Sequence, residues 1–510
     1  MTNGKTSAVH GASKRICWRS MDTIKQPQRV DTGVAGLNDI LSGGLPAGQM
    51  YLLEGTPGTG KTTLAMQFII QGVKSGEKSL YVTLSESKLE LQASARSHGW
   101  DADNLPIAEF IPEEASLSPE QQYTVFHPSE VELAATVQKL TELIEQVKPD
   151  RLVIDSLSEL RLLAADTMRY RRQLLALKQF FAGRDTTVVL LDDQTAEGSD
   201  MQLQSIAHGV LRLDKVQRTY GVTRRQIEIV KLRGTAYREG FHDYTIKTGG
   251  IRIYPRLIAG EHGDDFYEER VKSGLPELDT MFGGGICRGS STLLIGPTGA
   301  GKSTVALQYA CAATARGDRA IVYAFDEVLR IAQDRATALG LDVRRHIRDG
   351  NLAMSQVDPA ELSPGEFIWQ IRSDVEERDT RVVVIDSLNG FLNSMPGERD
   401  LILQMHELLA YLSQKGVVTF IIMTQHGLVG EMQTEIDVSY LADTVVLLRY
   451  FENEGEIRQV ISVLKQRVGR HERTLREFSM KDDSGLAIGE PLRTFRGVLT
   501  GVPNLIGRND

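Results

Sequence analysis

The sequence predicts an α/β protein of two tandem domains, each a mainly parallel twisted sheet flanked by helices, with β-hairpin strands added at one edge. Three observations carry that expectation. A glycine-rich phosphate-binding motif occurs twice. The residues around the two copies follow one order and, over long stretches, one spacing. Apolar strand-like runs alternate with amphipathic segments, the pattern of parallel strands covered on both faces.

The first motif reads Gly55-Thr56-Pro57-Gly58-Thr59-Gly60-Lys61-Thr62, followed by Thr63; the second reads Gly296-Pro297-Thr298-Gly299-Ala300-Gly301-Lys302-Ser303, followed by Thr304. Each has the spacing in which glycines let backbone N–H groups close on an anion at a helix N-terminus. A lysine then reaches the terminal phosphates and a hydroxyl holds Mg²⁺. Flanking residues extend the repeat. An offset of 241 residues holds from Gly33 and Gly274, through Lys61 and Lys302, to Glu86 and Glu327. Further on, Leu152-Val153-Ile154-Asp155-Ser156-Leu157 matches Val383-Val384-Ile385-Asp386-Ser387-Leu388 at an offset of 231. Lys231-Leu232-Arg233 then matches Lys465-Gln466-Arg467 at 234. Such a register marks an internal duplication.

In the first half the pattern predicts strands over Met50–Glu54, Ser79–Leu84, Arg151–Ile154 and Thr187–Leu191, and helices over Lys61–Ser75, Lys88–His98 and Tyr170–Ala182. Arg225–Lys231 and Asp243–Lys247 read as hairpin strands at the sheet edge. The expected organisation is a disordered tail (1–27), a first ATPase-type domain (28–256), a charged linker (257–270), a second such domain (271–500) and a short tail (501–510).

Composition narrows the function. The 510 residues are 41% hydrophobic and 25% charged, with a formal net charge of −9. That balance argues against a generic polyanion binder. No apolar run nears the roughly 20 residues of a membrane span, and no signal-peptide pattern follows Lys14 and Arg15, so a cytoplasmic location is expected. Cys17, Cys287 and Cys311 are widely spaced and suggest neither a disulfide framework nor a zinc site.

Beyond the loops, each site needs further chemistry. Asp155 and Asp386 end apolar strands and are candidates, with Thr62 and Ser303, for the Mg²⁺ shell. Glu86 in the first copy, and Asp326 and Glu327 in the second, follow the next strand and are candidate bases for an attacking water. Lys231 and Arg233, and Lys465 and Arg467, alternate on one strand face and could stabilise a transferring phosphoryl group.

This order of features resembles the KaiC family, double-domain ATPases of the RecA/DnaB-like P-loop class. The resemblance rests on GTPGTGKT, YVTLSES, RLVIDSLS and KLRGT, then GPTGAGKS, YAFDE, VVVIDSL and LADTVVLL-Y, and runs from about Arg29 to Leu499. It implies two RecA-like domains, ATP and Mg²⁺ as ligands, and a homohexamer with ATP between subunits. Lys231, Arg233, Lys465 and Arg467 would then act on a neighbour's ATP. Clock-type members add autophosphorylation in the second ring.

Three departures stand out. The family's adjacent pair of glutamates is Ser85-Glu86 in the first half and Asp326-Glu327 in the second. Its phosphorylatable Ser-Thr pair is Ser439-Tyr440, which leaves Ser439 as the single candidate acceptor. The short stretch after Leu499 leaves no room for a clock member's partner-recruiting tail, so a different protein partner is expected, which no motif names. Two other readings stay open on the P-loops alone: a DNA-dependent ATPase of the RadA or DnaB kind, and a nucleotide-dependent scaffold with little turnover. Against the first stand the acidic balance, the absence of CxxC spacing, and the lack of a basic loop interleaved with aromatics.

Overall fold

A computed structural model describes residues 28–110, 128–164, 166–193, 201–217, 221–258, 269–393, 400–425, 439–481, 485–493, 495–498 and 504–505. The tails expected at 1–27 and 501–510 lie almost wholly outside these residues, as does the middle of the expected linker.

The first half is built on nine strands: β1 (Met50–Gly55), β2 (Ser79–Thr83), β3 (Ile107–Glu109), β4 (Arg151–Asp155), β5 (Thr187–Asp192), β6 (Gly209–Val216), β7 (Arg224–Leu232), β8 (Phe241–Lys247) and β9 (Gly250–Tyr254). Their order is β3-β2-β4-β5-β1-β6-β7-β8-β9. Pairing is parallel from β3 to β6 and antiparallel from β6 to β9. The second half repeats the plan with β10 (Ser291–Gly296), β11 (Arg319–Ala324), β12 (Leu352–Gln356), β13 (Thr380–Asp386), β14 (Val418–Thr424), β15 (Thr444–Asn453), β16 (Glu456–Gln466), β17 (Arg476–Lys481) and β18 (Gly485–Pro491). Its order, β12-β11-β13-β14-β10-β15-β16-β17-β18, is the same. The expected mainly parallel sheet with hairpin strands at one edge is therefore present twice.

Both faces of each sheet are covered, which is why the central strands read as unbroken apolar runs. Along β1, Tyr51 and Leu53 pack into one core layer, and Met50 and Leu52 into the other. In the second half Leu294 and Leu293 divide in the same way. The helix after each phosphate loop, α1 (Lys61–Lys74) or α2 (Lys302–Ala315), lies in the layer that contains Tyr51 or Leu294. The helices after Asp155 and Asp386, Leu157–Ala164 and Leu388–Asn393, lie in the opposite layer. Sequence reading did not place the helix over Pro128–Val147 or the edge strand β3. Two residues expected to bound the linker belong to ordered structure. Leu257 is buried in the second half's core, and Arg270 pairs with Cys287 in a short two-stranded ladder.

One buried charge ties the first half together. Arg151 opens β4 and is 1% exposed. Its Nη1 donates to the carbonyls of Asp31 (2.6 Å) and Phe68 (3.0 Å), and its Nε pairs with Glu77. A Cβ at residue 72 would lie 2.5 Å from the Arg151 side chain, so Gly72 on α1 makes the room it needs. The two halves meet where β8–β9 lies against the helix Pro364–Arg378. There Lys247 pairs with Glu366 at 2.6 Å, Asp243 accepts from the Gly365 N–H at 2.9 Å, and the Arg252 guanidinium lies over the Trp369 ring.

Removing one member of a buried ionic network leaves the others unpaired, at a cost of about 3 kcal/mol. Arg151→Met is therefore expected to lower the first half's unfolding free energy by about that amount, read as a lower urea midpoint at unchanged slope. The second half's transition should not move, and fluorescence-monitored denaturation of the full chain would resolve the two.

Candidate phosphate-binding sites

In both halves the phosphate loop joins the carboxyl end of the central strand to a helix N-terminus. The last loop glycine must adopt a left-handed backbone, with φ of 98° at Gly60 and 94° at Gly301. There is no room for a side chain there: a Cβ would come within 2.6 Å of Ile246 in the first loop and 2.5 Å of Phe478 in the second. The hairpin strands at the sheet edge thus close over the loop and fix its shape.

The loop lysines are buried, 6% exposed for Lys61 and 5% for Lys302. Lys61 Nζ donates to the carbonyls of Gly55 (2.7 Å) and Thr56 (3.3 Å) and pairs with Asp193 at 2.9 Å. Lys302 Nζ donates to the carbonyls of Gly296 (2.9 Å) and Pro297 (2.7 Å). Among the described residues no carboxylate lies within ion-pair distance of Lys302. Burial pushes its pKa down to about 8, against a smaller opposing pull from Asp386.

The strand-ending aspartates lie where sequence placed them. Asp155 accepts from the Thr62 hydroxyl at 3.1 Å and from the Tyr81 phenol. In the second half Ser303 acts on the Asp386 carboxyl in the same sense, favouring its charged form. Burial raises the pKa of both carboxyls, and the hydroxyl bonds oppose the rise. A hydroxyl beside a strand-end carboxylate, below a cradle of backbone N–H groups, is a donor set that suits a magnesium–triphosphate pair.

The candidate bases differ between halves. Glu86 is raised by burial first, then by the charges of Asp155, Glu90 and Asp193, which favours proton acceptance closer to neutrality. Ser85 beside it is exposed. In the second half Asp326 accepts from the Ser387 hydroxyl at 2.5 Å, and Glu327 is held by Arg335 at 2.6 Å. Sequence reasoning missed Asp193. The run Leu191-Asp192-Asp193 carried a signal, since an acid just past a parallel strand points to the ligand edge, but its partner Thr424 has no acid and the repeat hid it.

The basic pairs lie elsewhere. Lys231 pairs in register with Val210 and Lys465 with Val445, near the starts of β6 and β15. Those starts align with the starts of β1 and β10, the amino edge of each sheet. Arg233 donates to the Ser205 carbonyl at 2.8 Å. Lys465 Nζ donates to the carbonyls of Ser439 and Ala442, both at 2.9 Å, and Arg467 to that of Tyr440 at 2.7 Å. Ser439 is half-buried in a turn before β15. The phosphate loops leave from the carboxyl edge, about 17 Å away along a six-residue strand. Neither basic pair, nor Ser439, is at its own half's loop.

Comparison with known proteins agrees with this duplication. A family model described as an ATPase, KaiC, matches residues 30–258 and again 271–493. The chain is 29% identical to the circadian clock protein KaiC3 of Synechocystis sp., over 93% of this chain and 94% of that protein. It is 30% identical to the circadian clock oscillator protein KaiC of Picosynechococcus sp., over 95% and 94%. It is 28% identical to that of Parasynechococcus marenigrum, over 96% and 95%. Among the described residues no helix is long and apolar enough to cross a membrane.

The depressed Lys302 has a consequence for stability. Above pH 8 the folded protein has released a proton that the unfolded chain keeps until its ordinary lysine pKa near 10.4. The unfolded state therefore binds more protons in that window, and stability rises with pH there. Urea titrations between pH 8 and 10 should show the second half gaining stability relative to Lys302→Met, whose profile lacks that contribution.

Proposed function

We propose that this chain, which belongs to the KaiC family of double-domain ATPases, hydrolyses Mg²⁺-bound ATP held between identical subunits and transfers a phosphoryl group to its own Ser439. One observation carries the reading. Each half presents its phosphate loop at the carboxyl edge of the sheet and its basic pair at the amino edge. A basic pair so placed serves a phosphate loop on another subunit, and a head-to-tail contact of that kind generates a ring where its rotation closes.

In this arrangement Lys61 and Lys302 hold terminal phosphates, Thr62 with Asp155 and Ser303 with Asp386 hold the metal, and Lys231, Arg233, Lys465 and Arg467 reach across to the neighbouring nucleotide. Mg²⁺ would supply charge neutralisation between the β- and γ-phosphates. Ser439 travels with Lys465, so the residue that could receive a phosphoryl group faces the same neighbouring site. Its hydroxyl oxygen bonds the terminal phosphorus while the bond to the bridging oxygen breaks. ADP leaves with that electron pair, and Asp326 or Glu327 takes the hydroxyl proton. The relatives bear circadian-clock names. Here Tyr440 stands beside Ser439 where the resemblance gives threonine, which leaves Ser439 as the single acceptor of the proposed modification.

After incubation with Mg²⁺ and ATP, phosphoprotein gels and mass spectrometry should find one phosphate per chain, on Ser439, absent from Ser439→Ala and Lys302→Ala. Phosphate elsewhere, or none, sinks the autokinase reading. Light scattering should show a hexamer in ATP. Lys465→Ala with Arg467→Ala should cost second-half chemistry about 10³-fold, the scale of a charge donated in trans. A protein that stays monomeric in ATP contradicts sites shared between subunits.

A further inference from the structure

The geometry points to Asp193 as the carboxylate that activates water at the first site, in the place left by Ser85. This rests on the ATPase reading above. The serine after each magnesium-type aspartate provides the key comparison. In the second half Ser387 donates its hydroxyl to Asp326, at the end of β11. The corresponding strand end in the first half carries Ser85, which offers no carboxylate. Ser156, the equivalent of Ser387, instead donates to Asp193 Oδ2 at 3.2 Å, a carboxylate that enters from the end of β5. Each site therefore holds one acid on the same serine, delivered by a different strand. At the position equivalent to Asp193 the second half has Thr424, which cannot play the part.

Asp193 also reaches the right atoms. Its Oδ1 lies 2.9 Å from Lys61 Nζ, the ammonium expected to meet the terminal phosphate. Its backbone N–H donates to Ser158 Oγ at 3.2 Å, which fixes the residue from behind. An ammonium has three donors, and in this structure they go to Gly55, Thr56 and Asp193. A terminal phosphate arriving at Lys61 displaces Asp193 from the ammonium and leaves a carboxylate, oriented by Ser156, beside the phosphate. Burial works against ionisation of Asp193, but Lys61, Ser156 and Ser158 together hold its pKa below the usual carboxylate range, so it is charged; a phosphate that takes Lys61 away removes the main cause of that lowering and leaves a more basic carboxylate.

The step then balances. Asp193 accepts a proton from a water whose oxygen bonds the terminal phosphorus. The bond from that phosphorus to the bridging oxygen breaks, ADP leaves with the electron pair, and the proton passes from Asp193 to the phosphate released. Glu86, raised in pKa and without an ion pair among the described residues, lies near enough to feel the charge of Asp193 and supports the carboxylate cluster rather than leading it.

The test uses the full chain carrying Lys302→Ala, so that turnover reports the first site alone. Adding Asp193→Asn should lower phosphate release about 100-fold or more, the scale of a lost general base. Binding of a fluorescent ATP analogue should stay equal or become tighter, because the competing anion at Lys61 is gone. Adding Ser85→Glu to that variant should restore turnover to within about tenfold of the parent. Unchanged turnover in Asp193→Asn overturns the assignment. So does a loss accompanied by weakened binding that Ser85→Glu does not rescue, which marks a structural role. A Lys302→Ala parent that binds no nucleotide at the first site would sink the ATPase reading itself.

Discussion

A lysine ammonium buried at the head of a helix is the constraint around which each half is arranged. Burying a charge costs several kcal/mol unless it is paired, and here the helix N-terminus adds positive potential of its own. The fold offers what an ammonium can donate to: carbonyls of the phosphate loop, whose last glycine has no room for a side chain. That requires the loop to be held shut, which the hairpin strands do by packing Ile246 or Phe478 against the last glycine. The central strand must also be buried on both faces, because the loop is anchored at its end. The lysine thus dictates the glycine, the glycine the hairpin, and the strand its two covering layers.

The halves differ in how they complete the neutralisation. The first adds a carboxylate, Asp193, directly on Lys61. The second adds none among its described residues, and burial depresses the Lys302 pKa. Two copies that started with one architecture have thus moved a negative charge from one strand end to another. The sheet permits the exchange because β2, β4 and β5, like β11, β13 and β14, all finish at the same edge, so neighbouring strand ends present side chains to one small volume. Swapping the strand that supplies an acid costs the fold nothing, provided the serine between them remains to orient it.

Much of this was legible before any coordinates. The phosphate loops are contiguous residues whose spacing is set by a single turn, and Asp155 and Asp386 each end an apolar strand at the same place in both repeats, so the string suffices. Less was legible where the deciding partner is distant in sequence. Asp193 meets Lys61 across 132 positions, and only strand order brings them together. The basic pairs were half legible. Alternation correctly put Lys231 with Arg233, but it also put Lys231 on the face of Ile227 and Ile229, which is buried. A β-bulge resolves the conflict: the register shifts between Val210 and Leu211, leaving Val230 as the extra residue, and Lys231 turns off the buried face while Leu232 takes its place. The same shift recurs between Val445 and Val446, where Leu464 is the spare residue and is exposed. Strand patterning has no mark for a bulge, and here the bulge aims the basic residues.

That aim makes the two edges of each sheet complementary rather than redundant. A site with all its charges on one subunit could form in a monomer. Here the strand that carries the phosphate loop at one end carries, through its neighbours, the basic pair at the other. The separation is the length of β10, about 17 Å, and no side chain spans it. Folding within one chain therefore cannot bring the charges together, however stable the fold. In the proposed assembly the contact that can do so is heterologous, loop edge to basic edge, and a subunit would satisfy it only with a copy of itself on either side.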